Sequence, residues 1–191
     1  MSRLVSSRRD AMRTAGLGTL SAGAFAVLAG APTAAAAMQG VSSADVDTLN
    51  VALGLEHEGI AAYQIGAESG LLEGQVLSAA VLFQGHHKGH RDELVKVIQT
   101  LGGTPVEAKS TETYMEDLDI ANTIKEPKDV LLLAQRLERG AAAAYLGIIP
   151  SLEGPDMKHL AARLAADESS HFAIISTVLG ESIPAEPFIY G

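Results

Sequence analysis

Glutamates and histidines recur in the middle of four otherwise apolar helical seams, and few folds accommodate that pattern. Leu49, Leu53, Glu56, Ile60 and Tyr63 follow at steps of four, three, four and three residues, the spacing of a packed bundle face. The same stepping gives Val76, Ala80, Phe83, His87, His90, Leu94, Val97 and Leu101, and then Leu131, Ala134, Glu138, Ala142, Tyr145 and Ile149. A last seam runs Met157, Ala161, Leu164, Glu168, His171, Ile175 and Val178. Each is apolar except near its centre, where Glu56; His87 and His90; Glu138; and Glu168 and His171 stand.

Breakers set the limits of these four patterns. The first helix is expected from Ser43 to Ser69 and the second from Glu73 to Leu101, ended by Gly102-Gly103-Thr104-Pro105. A polar stretch with a short helical piece at Thr113–Thr123 leads to a third helix, from Pro127 to Ile149, which Pro150 stops. The fourth runs from Pro155 to Gly180, followed by the tail Glu181–Gly191. No useful length of chain alternates as a strand does. Short first and last connections with a longer middle one predict an all-α, antiparallel four-helix bundle with one crossover.

Six ionisable side chains on core faces require compensation, because a buried carboxylate without a partner costs several kcal/mol, on the order of 3–5 when its ion pair is broken. Three carboxylates and three imidazoles at one level form a metal-ligand set. The i, i+3 pairs His87/His90 and Glu168/His171 each aim both members at the same interior. A proton-sharing network of these residues with nearby tyrosines is the alternative. His57, Glu58, His86, Asp92, Glu93 and His159 fall off the seams and are expected in solvent, with His86 bordering its seam. Tyr63 and Tyr145 suit either hydrogen bonding to the ligands or core packing.

The residues ahead of the first helix have a different character. Arg8-Arg9 precedes an Ala/Gly/Leu run that ends in Ala34-Ala35-Ala36-Ala37, the layout of a twin-arginine export signal cut near Ala37/Met38. Residues 1–37 are therefore expected to be a signal and residues 38–191 the domain, with an uncleaved membrane anchor as the alternative. After cleavage no stable membrane span remains. The signal holds four of the chain's 14 basic residues and one of its 23 acidic ones, so the remainder carries a net charge of −12. Such a surface disfavours nucleic acid and favours cations. The absence of cysteine excludes disulfides, thiolate metal sites and iron–sulfur clusters, leaving oxygen and imidazole as ligands.

The chain also repeats itself. Glu56 and Tyr63 map onto Glu138 and Tyr145 at an offset of 82 residues, while His87 and His90 map onto Glu168 and His171 at 81. Helices one and two thus echo helices three and four, which predicts a site with two related halves.

With these residues the chain resembles the ferritin-like superfamily, which includes rubrerythrins, bacterioferritins and exported or stress-related members. The family pattern is Glu on helix one, Glu-x-x-His on helix two, Glu on helix three and Glu-x-x-His on helix four. Glu56, His90, Glu138 and Glu168-Ser169-Ser170-His171 match it, and Leu49–Glu56 with Tyr63 resembles the first helix of the exported branch. His87 departs from it by standing where the family has a bridging carboxylate. Gln84-Gly85-His86-His87 offers an alternative register.

The resemblance implies a protein of the periplasm or outer envelope binding one or two ions of iron or manganese, with zinc and copper also compatible with the ligands. It implies one half-site of Glu56, His87 and His90, another of Glu138 and His171, and Glu168 as the bridge, with dioxygen or peroxide as a reactant. The competing expectation is a non-catalytic stress or partner-binding bundle with a polar core. Partners would be metal ions and, for the precursor, the twin-arginine export machinery; no oligomeric state is implied.

Overall fold

The protein's structure, a computed structural model, describes residues 43–182 and 184–190. The expected signal and its cleavage site lie outside them. Regular structure among the described residues is helical: α1 Ser43–Glu68, α2 Gly74–Thr100, α3 Thr111–Asp117, α4 Ile120–Thr123, α5 Pro127–Ile148 and α6 Pro155–Val178. The four long helices end within two residues of the expected limits. The expected short piece is two helices, because Asp119 turns left-handed at φ 52° and breaks α3 from α4.

Local chemistry explains where the long helices begin and end. At the start of α5, Pro127 occupies the first turn, and the Asp129 carboxylate accepts from the backbone N–H groups of Lys125 and Glu126, both at 2.9 Å. Gly102 and Gly180 terminate α2 and α6 at φ 79° and 74°, a conformation that costs a residue with a side chain more than glycine. The amides that follow, on Gly103 and Glu181, return to Ile98 O and Ser176 O, both at 2.9 Å, satisfying carbonyls the helix leaves open.

Packing fixes the directions of the helices. Leu49 and Leu53 of α1 share a core with Leu94 and Ile98 of α2, while Tyr63 and Leu72 share another with Ala80 and Phe83, so the two helices are antiparallel. Tyr145 and Leu152 likewise meet Leu160, Ala161 and Leu164, and Val130 meets Ile175, making α5 and α6 antiparallel. Because α1 also runs antiparallel to α5, residues 101–126 must travel the length of the bundle. They are held along α1: the Asn50 amide donates to Thr104 O at 3.0 Å and accepts from Val106 N at 2.8 Å, and His57 Nε2 donates to Val106 O at 3.1 Å. Leu118 and Ile120 then pack on Ala62 and Leu133.

Several seam positions shift by one or two residues from the expectation. Gly59 is buried where Ile60 was expected, Ile98 where Val97 was, and Leu133 where Leu131 was, while Val178 is half exposed at 50 %. A straight helix of 3.6 residues per turn drifts by about 20° per heptad against a 3.5-residue seam, enough to swap neighbours away from the centre. Near mid-height the two periods agree, and the ionisable residues lie there. A third tie was not foreseen: buried Asp45 accepts from the backbone N–H of Glu153 at 3.2 Å, joining the start of α1 to the α5–α6 loop.

Candidate metal centre

Two apolar cores, one at each end of the bundle, enclose a polar layer between them. Glu56 comes from α1, His87 and His90 from α2, Glu138 from α5, and Glu168 and His171 from α6. All six are buried, and Glu168 lies deepest at 0 % exposure. Their ligand-type atoms form two groups, each within 4.8 Å: Glu56, His87, His90 and Glu168, and His87, Glu138, Glu168 and His171. The repeat relates the groups to each other, with Glu56 answering Glu138, His90 answering His171, and the pair His87 and Glu168 common to both.

The distances follow that pseudo-symmetry. Glu168 sends Oε1 toward His90 Nδ1 at 3.0 Å and Oε2 toward His171 Nδ1 at 3.4 Å, one oxygen for each half. His90 Nδ1 is also 3.6 Å from Glu56 Oε2, as His171 Nδ1 is 3.3 Å from Glu138 Oε2. The tyrosines exchange halves: Tyr63 donates to Glu138 and Tyr145 to Glu56. Their hydroxyls thus bond the cluster carboxylates as well as filling the core.

His87 corrects the expected division of the site. Its Nδ1 lies 2.8 Å from Glu56 Oε2 and its Nε2 3.2 Å from Glu138 Oε1, so the ring spans both halves instead of belonging to the first. Room for it comes from α1, where Gly59 has no side chain; a Cβ there would stand 3.2 Å from the imidazole. The alternative register, Gln84 with His87, brings only its histidine to the cluster, since the buried Gln84 amide donates to Ile60 O at 3.1 Å and to Gln64 Oε1 at 2.7 Å. Two residues outside the seams touch the cluster's outer rim. Exposed His86 places Nδ1 2.9 Å from His171 Nε2, and exposed Asp167 places Oδ2 3.1 Å from His90 Nε2. Bordering the seam was the only sequence signal for His86; Asp167 gave none.

The donor set fits a cation. His90 Nδ1 and both Glu168 oxygens are buried without a hydrogen-bond partner among the described residues, although each has oppositely polarised atoms nearby. Atoms that close without hydrogen-bonding one another can donate lone pairs to a cation, one Glu168 oxygen toward each of the two groups. Leaving a buried polar atom unsatisfied otherwise costs about 1–3 kcal/mol.

Residues 44–181 match the family described as ferritin-like domain. The chain belongs to that family. Two solved structures share its fold: the conserved hypothetical protein rv2844 of Mycobacterium tuberculosis, and a dodecameric thioferritin described as the bacterioferritin-related protein of Bacteroides fragilis. The first is 23 % identical, covering 76 % of this chain and 97 % of that one, with a TM-score of 0.62. The second is also 23 % identical, covering 75 % and 89 %, with a TM-score of 0.59. No curated protein matches the chain. No described helix is long and apolar enough to cross a membrane.

The electrostatics of this ferritin-like domain place protons as well as charges. Burial disfavours a charge on His87, but Glu138 and Glu56 outweigh it and push the imidazole up to about 11. His90 is likewise pushed up to about 10 by Glu168 and Glu56 against its own burial. Glu56 and Glu138 fall below the usual carboxylate range because their histidine partners overcome burial. Glu168 rises, since burial there prevails over His171 and His90. Burial and the neighbouring carboxylates raise both tyrosines, which stay protonated donors.

Proposed function

We propose that this ferritin-like domain is an exported metal-binding protein holding one or two ions of iron or manganese between Glu168 and the paired half-sites. The observation that carries this reading is that Glu168 Oε1, Glu168 Oε2 and His90 Nδ1 are all buried and have no hydrogen-bond partner among the described residues. Glu56 and His90 would hold one ion and Glu138 and His171 the other, with Glu168 shared. Three carboxylates mixed with three imidazoles suit iron and manganese, and bind zinc and copper as well. A redox-active ion bound there supplies electron transfer toward dioxygen or peroxide.

The chain's own residues prepare the site. Tyr145 and Tyr63 fix one oxygen each of Glu56 and Glu138, orienting these carboxylates as hydrogen-bonded neighbours commonly do for ligands. The apolar cores cover the layer above and below, and exposed His86 and Asp167 border it where it meets solvent. The test is elemental analysis of protein purified from iron- and manganese-supplemented medium. Wild type should carry one or two ions per chain, and Glu168→Ala or His171→Ala should lose most of them. A folded wild type without metal would overturn the reading.

His87 supports a second reading. Its two nitrogens face two carboxylates, an arrangement by which a metal-free bundle neutralises its own core. The domain would then be a non-catalytic stress or partner-binding module, and its stability would not change with added metal. Export is proposed from Arg8-Arg9 and the apolar run after them. Replacing both arginines with lysine should hold the precursor inside the cell, and undiminished export of that variant would remove this part.

A further inference from the structure

At the end of the bundle where α1 turns into α2, the four long helices surround a cavity of about 460 Å³, with Ile120 and Ile124 closing its side. Several of its lining residues carry little or no side chain. Gly66, Ala79, Ala80 and Ala134 line it, whereas Leu49, Leu53, Leu94 and Ile98 fill the other end. We propose that this cavity binds an uncharged, mainly hydrocarbon small molecule, separate from the metal centre and independent of whether metal is bound.

The lining carries no acidic, basic or imidazole side chain, and its polar residues are Tyr63, Ser69 and Gln75. The Tyr63 hydroxyl is committed to Glu138, and Ser69 Oγ donates to Gly66 O at 2.6 Å. Ser69 and Gln75 are both exposed at the rim, so the interior presents hydrocarbon alone. A cavity of about 150 Å³ with such walls stays dry and takes up benzene, so one about three times larger has room for about 15 carbon atoms.

Charge and size select the occupant. A fatty acid would bring its carboxylate to a rim with no cation among the lining residues and with exposed Glu68 and Glu73 next to it in sequence. An alcohol or another neutral end group at Ser69 and Gln75 meets no such repulsion. A helix of a second copy, about 10 Å across, would lie over the exposed Ile174 and Val178 rather than fill a cavity of about 460 Å³ set between the four helices. The inner wall is Phe83 and Tyr63, which also touch the polar layer: Phe83 stacks on His171 with ring centroids 4.2 Å apart, and Tyr63 lies 5.4 Å from the His87 ring. The molecule therefore sits one side chain away from the candidate metal centre.

The experiment is calorimetric titration of the full chain, in buffer with chelator, using 1-dodecanol and dodecanoate as probes. The expected result is one 1-dodecanol per chain, dodecanoate at least tenfold weaker, and at least tenfold weaker 1-dodecanol binding by Ala134→Phe and by Ala79→Phe, whose rings occupy the cavity. The wild-type comparison stands even if a phenylalanine variant fails to fold. No 1-dodecanol binding, equal binding of dodecanoate, or folded variants that both bind 1-dodecanol like wild type would overturn the proposal. So would dissociation of an oligomer by 1-dodecanol, which would assign the cavity to contact between copies. Because chelator is present throughout, failure of the metal reading leaves this test intact.

Discussion

Replacing His87 with glutamate separates the metal-bound protein from the metal-free one. In the metal-free cluster His87 answers two buried carboxylates, Glu56 at 2.8 Å and Glu138 at 3.2 Å. A hydrogen bond to a charged group contributes about 1.5–3 kcal/mol, so losing both costs roughly 3–6 kcal/mol. Removing one partner of a buried ion pair independently gives about 3–5 kcal/mol. His87→Glu adds a fourth carboxylate to the same layer, so the metal-free variant should be destabilised by at least that much. For a domain of this length this lowers the melting temperature by roughly 6–24 °C, at about 2–4 °C per kcal/mol. Metal should reverse the loss, because a cation at 100 times its dissociation constant stabilises by about 2.7 kcal/mol and two such sites by about 5.4. The variant should also bind the second ion more tightly than wild type and react faster with dioxygen or peroxide, since the added carboxylate spans two cations where an imidazole cannot. Circular dichroism melts of both proteins, with chelator and with manganese, test the reasoning. A destabilised variant whose melting temperature manganese does not raise would refute it.

Other perturbations follow from the same geometry. Tyr145→Phe removes the donor to Glu56 and should cost about 1–3 kcal/mol in urea titrations of the metal-free protein; an unchanged midpoint would show that Glu56 does not depend on it. Gly59→Ala puts a methyl 3.2 Å from the His87 ring, whose two nitrogens are held by Glu56 and Glu138; the overpacking of about 1–3 kcal/mol less the roughly 1 kcal/mol that alanine gains over glycine in a helix leaves a net cost of about 0–2 kcal/mol with helix content intact, and a clear stabilisation would show that the ring gives way freely. Leu94→Ala, at a fully buried position one turn beyond His90 in the apolar core, should cost about 2–5 kcal/mol without changing metal stoichiometry. In the metal-free protein, His87 and His90 are raised from 6.5 to about 11 and about 10, so their contribution is complete below pH 6.5 and declines until it is lost above those values. Raised Glu168 contributes below 4.5 and loses its contribution as pH rises through its higher folded value, whereas lowered Glu56 and Glu138 contribute above 4.5 and lose their contribution as pH falls. Metal-free stability should therefore peak near pH 5–6 and fall steadily from pH 7 to 10 in urea titrations; a flat profile over pH 7–10 would contradict the charge assignment.

The helices and the six cluster residues were legible because burial follows periodicity and charge does not follow burial. A glutamate on a leucine seam, as at Glu56 or Glu138, stands out whatever surrounds it. The crossover was legible from lengths alone, since residues 101–126 are too many for a turn and too polar for a core helix. Contacts that depend on a partner helix were not legible. The reach of His87 to both halves depends on Gly59 across the interface, and glycine on a helix carries no sequence sign of what lies against it. His86 and Asp167 are exposed and enter only by reaching the outward-facing nitrogens of His171 and His90. Asp45 carries no sequence sign of its tie, because its partner, the Glu153 amide, lies in a distant loop. The cavity was hidden for a similar reason: Ala80 and Ala134 read as seam residues, and only assembly shows that small residues from several helices coincide.

Diffraction from crystals of the metal-loaded protein, measured on either side of the manganese absorption edge, tests the central claim most directly. The account predicts anomalous density for one or two ions beside Glu168, between its oxygens and the Glu56/His90 and Glu138/His171 pairs. Anomalous density confined to surface carboxylates, with Glu168 hydrogen-bonded to His90 and His171, would contradict it.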